Sequence, residues 1–300
     1  MTAEAAVPAT TVTATRFSPA WLAERLQGVV LHVVVIGLTV AWMVPAAGLL
    51  VSSFRPFSAI TTSGWWTALA PPFQFTLDNY TGVLSSSNLG HSLFNSFMIS
   101  IPSTVIPVTI AAFAAYAFSW MRFWGRDWFF LALVGLLVVP LQVTFIPLLT
   151  LFNRAGISGT FLAVWLAHTG YGLPFAIYLL SNFFRSLPSD LFESAEMDGA
   201  GTLTVFFRIV LPLSVPAIAS LVIFQFLWIW NDLLVALIYV GGSEPVAPLT
   251  VKIAGLVNSL GQGYHLLTAA AFISMIVPLV VFFSLQRFFV RGILAGSVKG

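Results

Sequence analysis

Residues 29–53 read VVLHVVVIGLTVAWMVPAAGLLVSS, twenty-five positions without a single Asp, Glu, Lys or Arg. About 20 apolar residues in helical conformation cross the hydrocarbon core of a bilayer, so this stretch is long enough to span a membrane by itself. It is too long for the apolar core of a signal peptide and lacks a clear small-residue cleavage site, which makes it a retained span. Five further apolar segments follow, at roughly 93–118, 128–152, 160–184, 216–240 and 265–289. The expected fold class is all-α, a polytopic membrane protein with six transmembrane helices over 29–289. A 1–28 N-terminal tail and a 290–300 C-terminal tail flank it.

The composition of the whole chain agrees. Of 300 residues, 59% are hydrophobic and 7% charged, with a mean hydropathy of +0.97, whereas a soluble domain carries about 25% charged residues. The absence of cysteine rules out a disulfide framework, a thiolate metal site and a cysteine nucleophile. The twelve basic residues set the orientation. With both termini cytoplasmic, nine lie inside (Arg16, Arg25, Arg122, Arg126, Arg185, Arg208, Arg287, Arg291 and Lys299) and three outside (Arg55, Arg154 and Lys252), as the positive-inside rule requires. Trp65, Trp66, Trp120, Trp124 and Trp128 fall near span ends, where indole rings either sit at the headgroup level or pack between helices. Pro102, Pro107, Pro140, Pro147, Gly170, Gly172 and Pro174 interrupt the spans. Each proline frees a backbone carbonyl that must find a partner in protein or in a water-filled cavity, so these residues mark either kinks or a pathway.

The loop between the fourth and fifth spans concentrates charge. Asp190, Glu193, Glu196 and Asp198 are four of the ten acidic residues, within nine positions. Leu187 to Glu193 has the form of a helix start, with Asp190 as cap and Glu193 completing a capping box. Gly199 suits a left-handed stop, and a second short helix is expected from Thr202 to Leu211, limited by Pro212 and Pro216. Leu191, Phe192 and Ala195 lie beside the acids, a mixture suited to docking on another protein. Charge alone favours a solvated loop; the residue pattern decides between the two.

From Glu193 the chain reads Glu193-Ser194-Ala195, three residues, Gly199, nine residues, Ile209, one residue, Leu211-Pro212. This resembles the coupling-loop signature of binding-protein-dependent ABC importers, Glu-Ala-Ala-x3-Gly-x9-Ile-x-Leu-Pro, departing from it only at Ser194. Six retained positions coincide by chance about once in ten million placements at average residue frequencies. The resemblance extends over about residues 28–300 and implies a type I ABC importer permease fold. In that family the loop (here 185–215) docks into a cleft of a cytoplasmic ATPase, which implies contacts from Asp190, Glu193, Ala195, Glu196, Asp198, Gly199, Ile209, Leu211 and Pro212. Ser53-Phe54-Arg55-Pro56, Trp230-Asn231-Asp232 and the tail Gly292 to Gly300 resemble the maltose-type second permease of the carbohydrate-uptake branch. There the tail also reaches the ATPase, which implies a role for Ser297, Val298, Lys299 and Gly300. Ser63-Gly64-Trp65-Trp66, Trp165 to Gly170 and Gln286-Arg287-Phe288-Phe289 resemble α-glucoside permeases in particular.

The resemblance implies a non-catalytic subunit of a bacterial inner-membrane importer for a sugar such as maltose, sucrose or trehalose. Its implied partners are a second six-span permease, an ABC ATPase dimer that uses ATP and Mg, and an extracytoplasmic sugar-binding protein. The chain itself has no phosphate loop, metal-binding signature or nucleophile motif, and nothing in its charge pattern suggests nucleic acid. A possible substrate path centres on Asp232, the one carboxylate expected inside a span, with Gln225, Trp230 and Asn231 around it and His168 and Tyr171 as weaker candidates. The alternative is that Asp232 is hydrated or structural near the outer interface. A stand-alone secondary transporter or channel is the competing class. It would place its coupling residues at mid-membrane, whereas the acids here cluster in a loop.

Overall fold

The computed structural model describes residues 19–86, 88–241, 245–256 and 263–297, and every regular element among them is helical. Four helices are long and apolar enough to cross a membrane unaided. They are the bulk of α1 (Pro19–Ser53), α4 (Leu89–Trp120), α7 (Phe161–Arg185) and the first part of α14 (Tyr264–Ser297). Two bent pairs supply the remaining spans. The first is α5 (Arg126–Leu136) with α6 (Leu141–Arg154), bent by 101°. In the second, residues 202–213 meet α11 (Val215–Trp230) at 74°. Short helices α2 (Phe57–Thr62), α3 (Asp78–Ser86), α8 (Ser189–Met197), α12 (Leu234–Tyr239) and α13 (Leu249–Ala254) occupy the connections.

Residues 19–28 are helical and run on into the first span, and α14 likewise continues past residue 289 to Ser297. Two span bounds need correction. The segment 128–152 is not one continuous span. Pro140 has no N–H to donate and its ring collides with the preceding turn, so α5 stops at Leu136 and α6 restarts at Leu141. The other prolines in question, Pro102, Pro107, Pro147 and Pro174, lie inside unbroken helices. Finally, the fifth span ends at Trp230 instead of 240, which leaves Asp232 in the break before α12 rather than within a span.

The core is organised on the pair α4 and α7, the most extensive helix contact in the fold. The buried face of α4 is small and polar: Ser92, Asn95, Ser96, Ser100, Ser103, Thr104, then Ala111, Ala112 and Ala115. Ala111, Ala112 and Ala115 share a buried cluster with Ala176 of α7, and Ile99 one with Ala163 and Ala167, while Asn95 Nδ2 donates to the carbonyls of Pro245 and Ala247 and Ser96 Oγ accepts from the Leu249 N–H. Lipid tails are as apolar as leucine, so helices in a bilayer gain by close van der Waals approach, which small side chains permit. Side chains then clamp the pair along its length. Trp165 Nε1 donates to the Met98 carbonyl at 2.8 Å, Ser119 Oγ to Ser181 at 3.2 Å and Trp120 Nε1 to Phe184 at 3.0 Å. Each such bond contributes about 1 kcal/mol.

Helix α1 stands apart, exposed from residue 29 to 46 and packed only near its end against α14 and the turn Trp65–Leu69. The tryptophans divide between their two possible roles. A Cβ on Gly48 would stand 2.7 Å from the Trp65 indole nitrogen, so Trp65 packs on α1, and Trp120 is likewise a packing residue. Trp66, Trp124 and Trp128 are exposed. After α1 the chain turns on Arg55, which is 2% exposed. Its guanidinium donates to the Ser63 and Ala59 carbonyls and to Ser63 Oγ, while Asn79 Nδ2 donates to the carbonyls of Ser53 and Arg55.

Candidate docking loop and buried polar band

Helix α8 begins at Ser189 behind Pro188, and Asp190 is not its cap: no side-chain capping bond forms, and Asp190 lies in the first turn. A carboxylate there still favours the positive end of the helix dipole. The C-terminus is closed as expected. Gly199 has φ +72°, its N–H donates to the Glu196 carbonyl at 3.0 Å, and the Ala200 N–H donates to the Ala195 carbonyl at 2.9 Å. This is the paired closure of a Schellman motif.

One side of α8 is held by its own chain. Ala195 is buried in the cluster containing Phe184, Val205 and Phe206, and the Phe192 ring stacks on Trp120 with centroids 3.5 Å apart. At 100° per residue, Asp190, Glu193 and Met197 fall on the opposite side. All three are exposed, Met197 at 90%. Glu196 and Asp198 are exposed on the flanks. The second helix runs from Thr202 to Leu213, with α9 (Thr202–Val205), a wider π-type stretch (Phe206–Val210) and α10 (Leu211–Leu213) in continuity. Pro212 therefore does not stop it; the stop is at Ser214, where the path bends into α11. Ile209 and Leu211 pack against the same cluster as Ala195, and Pro212 is exposed. The motif residues thus divide physically. Ala195, Gly199, Ile209 and Leu211 build the loop, and Glu193 faces away from it.

The six residues of the possible substrate path do not converge on one cavity. His168 is fully buried on α7, its ring edge-on to Trp228 at 5.4 Å and its Nε2 3.8 Å from Asp232 Oδ2. Asp232 accepts from the backbone N–H of Val235 at 3.4 Å and Ala236 at 3.1 Å, which makes it the anchor of the first turn of α12. Gln225 is buried against Gly172, and its Nε2 has no hydrogen-bond partner among the described residues. Tyr171 lies in a hydroxyl chain, 2.9 Å from Thr144 Oγ1 and 2.7 Å from the Tyr239 hydroxyl. These four form a polar band between α7 and its neighbours α6, α11 and α12. Trp230 turns away from it, donating to the Ser274 carbonyl at 3.2 Å and stacking on Phe226. Asn231 is exposed and bonds back to the Leu227 carbonyl. Of the four tail residues, Val298, Lys299, Gly300 and the side chain of Ser297 lie outside the described residues.

Residues 107–295, which contain this loop and most of the band, match the family model described as binding-protein-dependent transport system inner membrane component. The chain belongs to that family. The permease is 55% identical over 92% of its length to the osmoprotective compounds uptake permease protein GgtD of Synechocystis sp., of which it covers 94%. It is 54% identical over 79% of its length to the alpha-glucoside transport system permease protein AglG of Rhizobium meliloti, spanning 63% of that longer chain. Its fold matches a crystallised bacterial ABC transporter involved in import of the acidic polysaccharide alginate, with a TM-score of 0.72 over 91% of this chain and 99% of that one at 20% identity. The fold is thus that of a type I importer permease, a multi-pass inner-membrane component.

Several residues of the permease site have no local signal in sequence. Trp120 and Phe192, 72 positions apart, meet only once α4 and α8 are placed, and the same holds for Thr144 and Tyr239. Two measurements follow. Gly199→Ala has open space for the new methyl, so its cost is backbone strain alone, about 1–2 kcal/mol. Gly199→Asn is expected to retain most of that stability, and a detergent thermal melt of both variants checks it. Asp232→Ala removes the acceptor at the start of α12 and is expected to cost about 1 kcal/mol. Asp232→Asn keeps an acceptor oxygen, so equal melting losses in the two variants would count against the anchoring role.

Proposed function

We propose that this permease imports a sugar of the α-glucoside class, working as one half of the membrane channel and driven by a separate ATPase. The observation that carries this reading is the outward face of α8, with Glu193 and Asp190 beside Met197, held rigidly by Ala195, Phe192 and the Gly199 turn. A charged and apolar face on a braced helix is suited to pass a push from a docked protein into α4 and α7. Both termini and this loop would then lie in the cytoplasm, in keeping with the nine basic residues on that side. A second six-span permease would complete the channel, an ABC ATPase dimer would engage α8, and an extracytoplasmic binding protein would deliver the substrate. The alpha-glucoside permease at 54% identity supports the sugar. The osmoprotectant permease at 55% supports a second reading, in which the cargo is a small protective solute.

The test has two parts. A mild-detergent pull-down of the tagged chain from its host is expected to recover a nucleotide-binding ATPase and a second permease. Recovery of the chain alone, under conditions that keep a known importer intact, would return the stand-alone transporter. Uptake of labelled maltose, sucrose, trehalose and a panel of osmoprotective solutes, with and without the gene, then separates the two cargo readings.

A further inference from the structure

The turn between α4 and α5 carries a pocket that neither the docking loop nor the polar band uses. Arg122, Phe123, Gly125, Arg126, Asp127 and Trp128 line it, an open groove of about 370 Å³. Gly125, at φ +78°, folds the chain back so that Arg122 and Arg126 border the same space. Arg126 pairs with Asp127 at 3.1 Å. Arg122 is exposed and has no carboxylate within 4 Å among the described residues. Arg185 adds a third positive charge beside the turn, over the Phe130 ring at 4.6 Å and donating to the Phe118 carbonyl. Among the residues that line or border this turn, three guanidinium groups stand against one carboxylate, while Asp190 and Glu193 of α8 face away from the side that stacks on Trp120.

Its surroundings identify what the charge faces. Trp124 is 91% and Trp128 77% exposed, and below them Phe129 and Leu131 are exposed on the first turns of α5, where a span begins. Cationic groups beside aromatic rings, continuous with an apolar helix face, match the layered chemistry of a lipid: phosphate, interface, acyl chain. A soluble partner would have no use for the apolar face that runs on into the span. We propose that this turn is a binding site for an acidic phospholipid, with Arg122 and Arg126 holding the headgroup phosphate and Trp124 and Trp128 seated in the headgroup layer. The site lies at the same membrane end as α8, since Trp120 stacks on Phe192. Its assignment to the cytoplasmic leaflet rests on the orientation proposed above.

The experiment uses the full chain in mild detergent, with phosphatidylglycerol, phosphatidylcholine and inorganic phosphate as probes, read by native mass spectrometry and thermal melting. Phosphatidylglycerol is expected to be retained and to raise the melting temperature, and the other two to do neither. Arg122→Gln with Arg126→Gln is expected to weaken phosphatidylglycerol binding about 25-fold, at roughly fivefold per charge. If the double variant does not fold, Arg122→Gln alone should lose about fivefold. Unchanged binding in either variant, equal binding of phosphatidylcholine, or full replacement by inorganic phosphate would overturn the site. So would a variant that keeps its lipid but no longer recovers the ATPase, because the turn would then be a protein contact. If the wild-type chain binds the lipid yet recovers no ATPase, the importer reading falls and the lipid site stands.

Discussion

Glu193→Lys is expected to lower substrate uptake by about 10- to 100-fold while leaving the permease folded, because in the docking role proposed above a reversed charge at the contact converts attraction into repulsion. Glu193 is exposed and turned away from the Ala195–Phe192 side by which α8 is anchored. The melting temperature should therefore stay near that of the wild type, surface changes away from packed or bonded groups costing within about 0.5 kcal/mol. Glu193→Gln, which removes the charge without reversing it, should fall between. The informative comparison is Ala195→Lys, which forces a charge into the buried side and should lower melting temperature and uptake together. Uptake in cells, ATPase recovered by pull-down and a detergent melt check all three. A melting loss for Glu193→Lys as large as that for Ala195→Lys would remove the distinction between the two faces, and unchanged uptake would remove the docking role.

The second large effect concerns Gly172. A Cβ at this position would stand 2.3 Å from Gln225 Nε2 and 3.0 Å from its carbonyl carbon and oxygen. Gly172→Ala is expected to be mild, because Nε2 has no hydrogen-bond partner among the described residues and the amide can turn aside. Gly172→Leu has no such escape. It wedges α7 away from α11 and is expected to cost about 3 kcal/mol, the upper part of the usual range for overpacking. Gln225→Ala frees a comparable volume, so the double variant should recover at least about 1 kcal/mol relative to the sum of the singles. Detergent melts of the four proteins close the cycle. Strict additivity would mean that the two side chains do not share the space.

Gly199 and Gly172 differ in how far the sequence marks them. Gly199 was legible, because a helix stop needs a left-handed residue at a defined place and the spacing from Glu193 marked it. Gly172 was legible only as an irregularity in a span; its partner is 53 positions away and no local pattern joins them. The spans themselves could be found from hydropathy, as apolar length is a one-dimensional property. Where a span breaks could not: Pro45, Pro102, Pro107, Pro147, Pro174 and Pro278 lie inside unbroken described helices, whereas Pro140 separates α5 from α6. Tertiary contacts decide which freed carbonyls are satisfied in place. Asp232 illustrates the same limit. Its charge stands out within an apolar stretch, but its work is set by the turn that follows it and by His168 from another helix.

The serine-rich face of α4 sets a problem of timing during synthesis. Membrane helices enter the bilayer in chain order, and α4 is complete 65 residues before α7 ends. At ordinary translation rates that interval is about 3 to 13 s. Throughout it, Ser100, Ser103 and Thr104 have no α7 to meet, the Met98 carbonyl lacks Trp165, Ser119 Oγ and Trp120 Nε1 lack their acceptors, and Asn95 and Ser96 still await the later segment around 245–249. A nascent chain halted before residue 185 would therefore present a stripe of amide and hydroxyl groups to lipid, a form that quality-control proteases and insertases are built to recognise. The close fit that stabilises the finished permease makes its half-made form dependent on a holder.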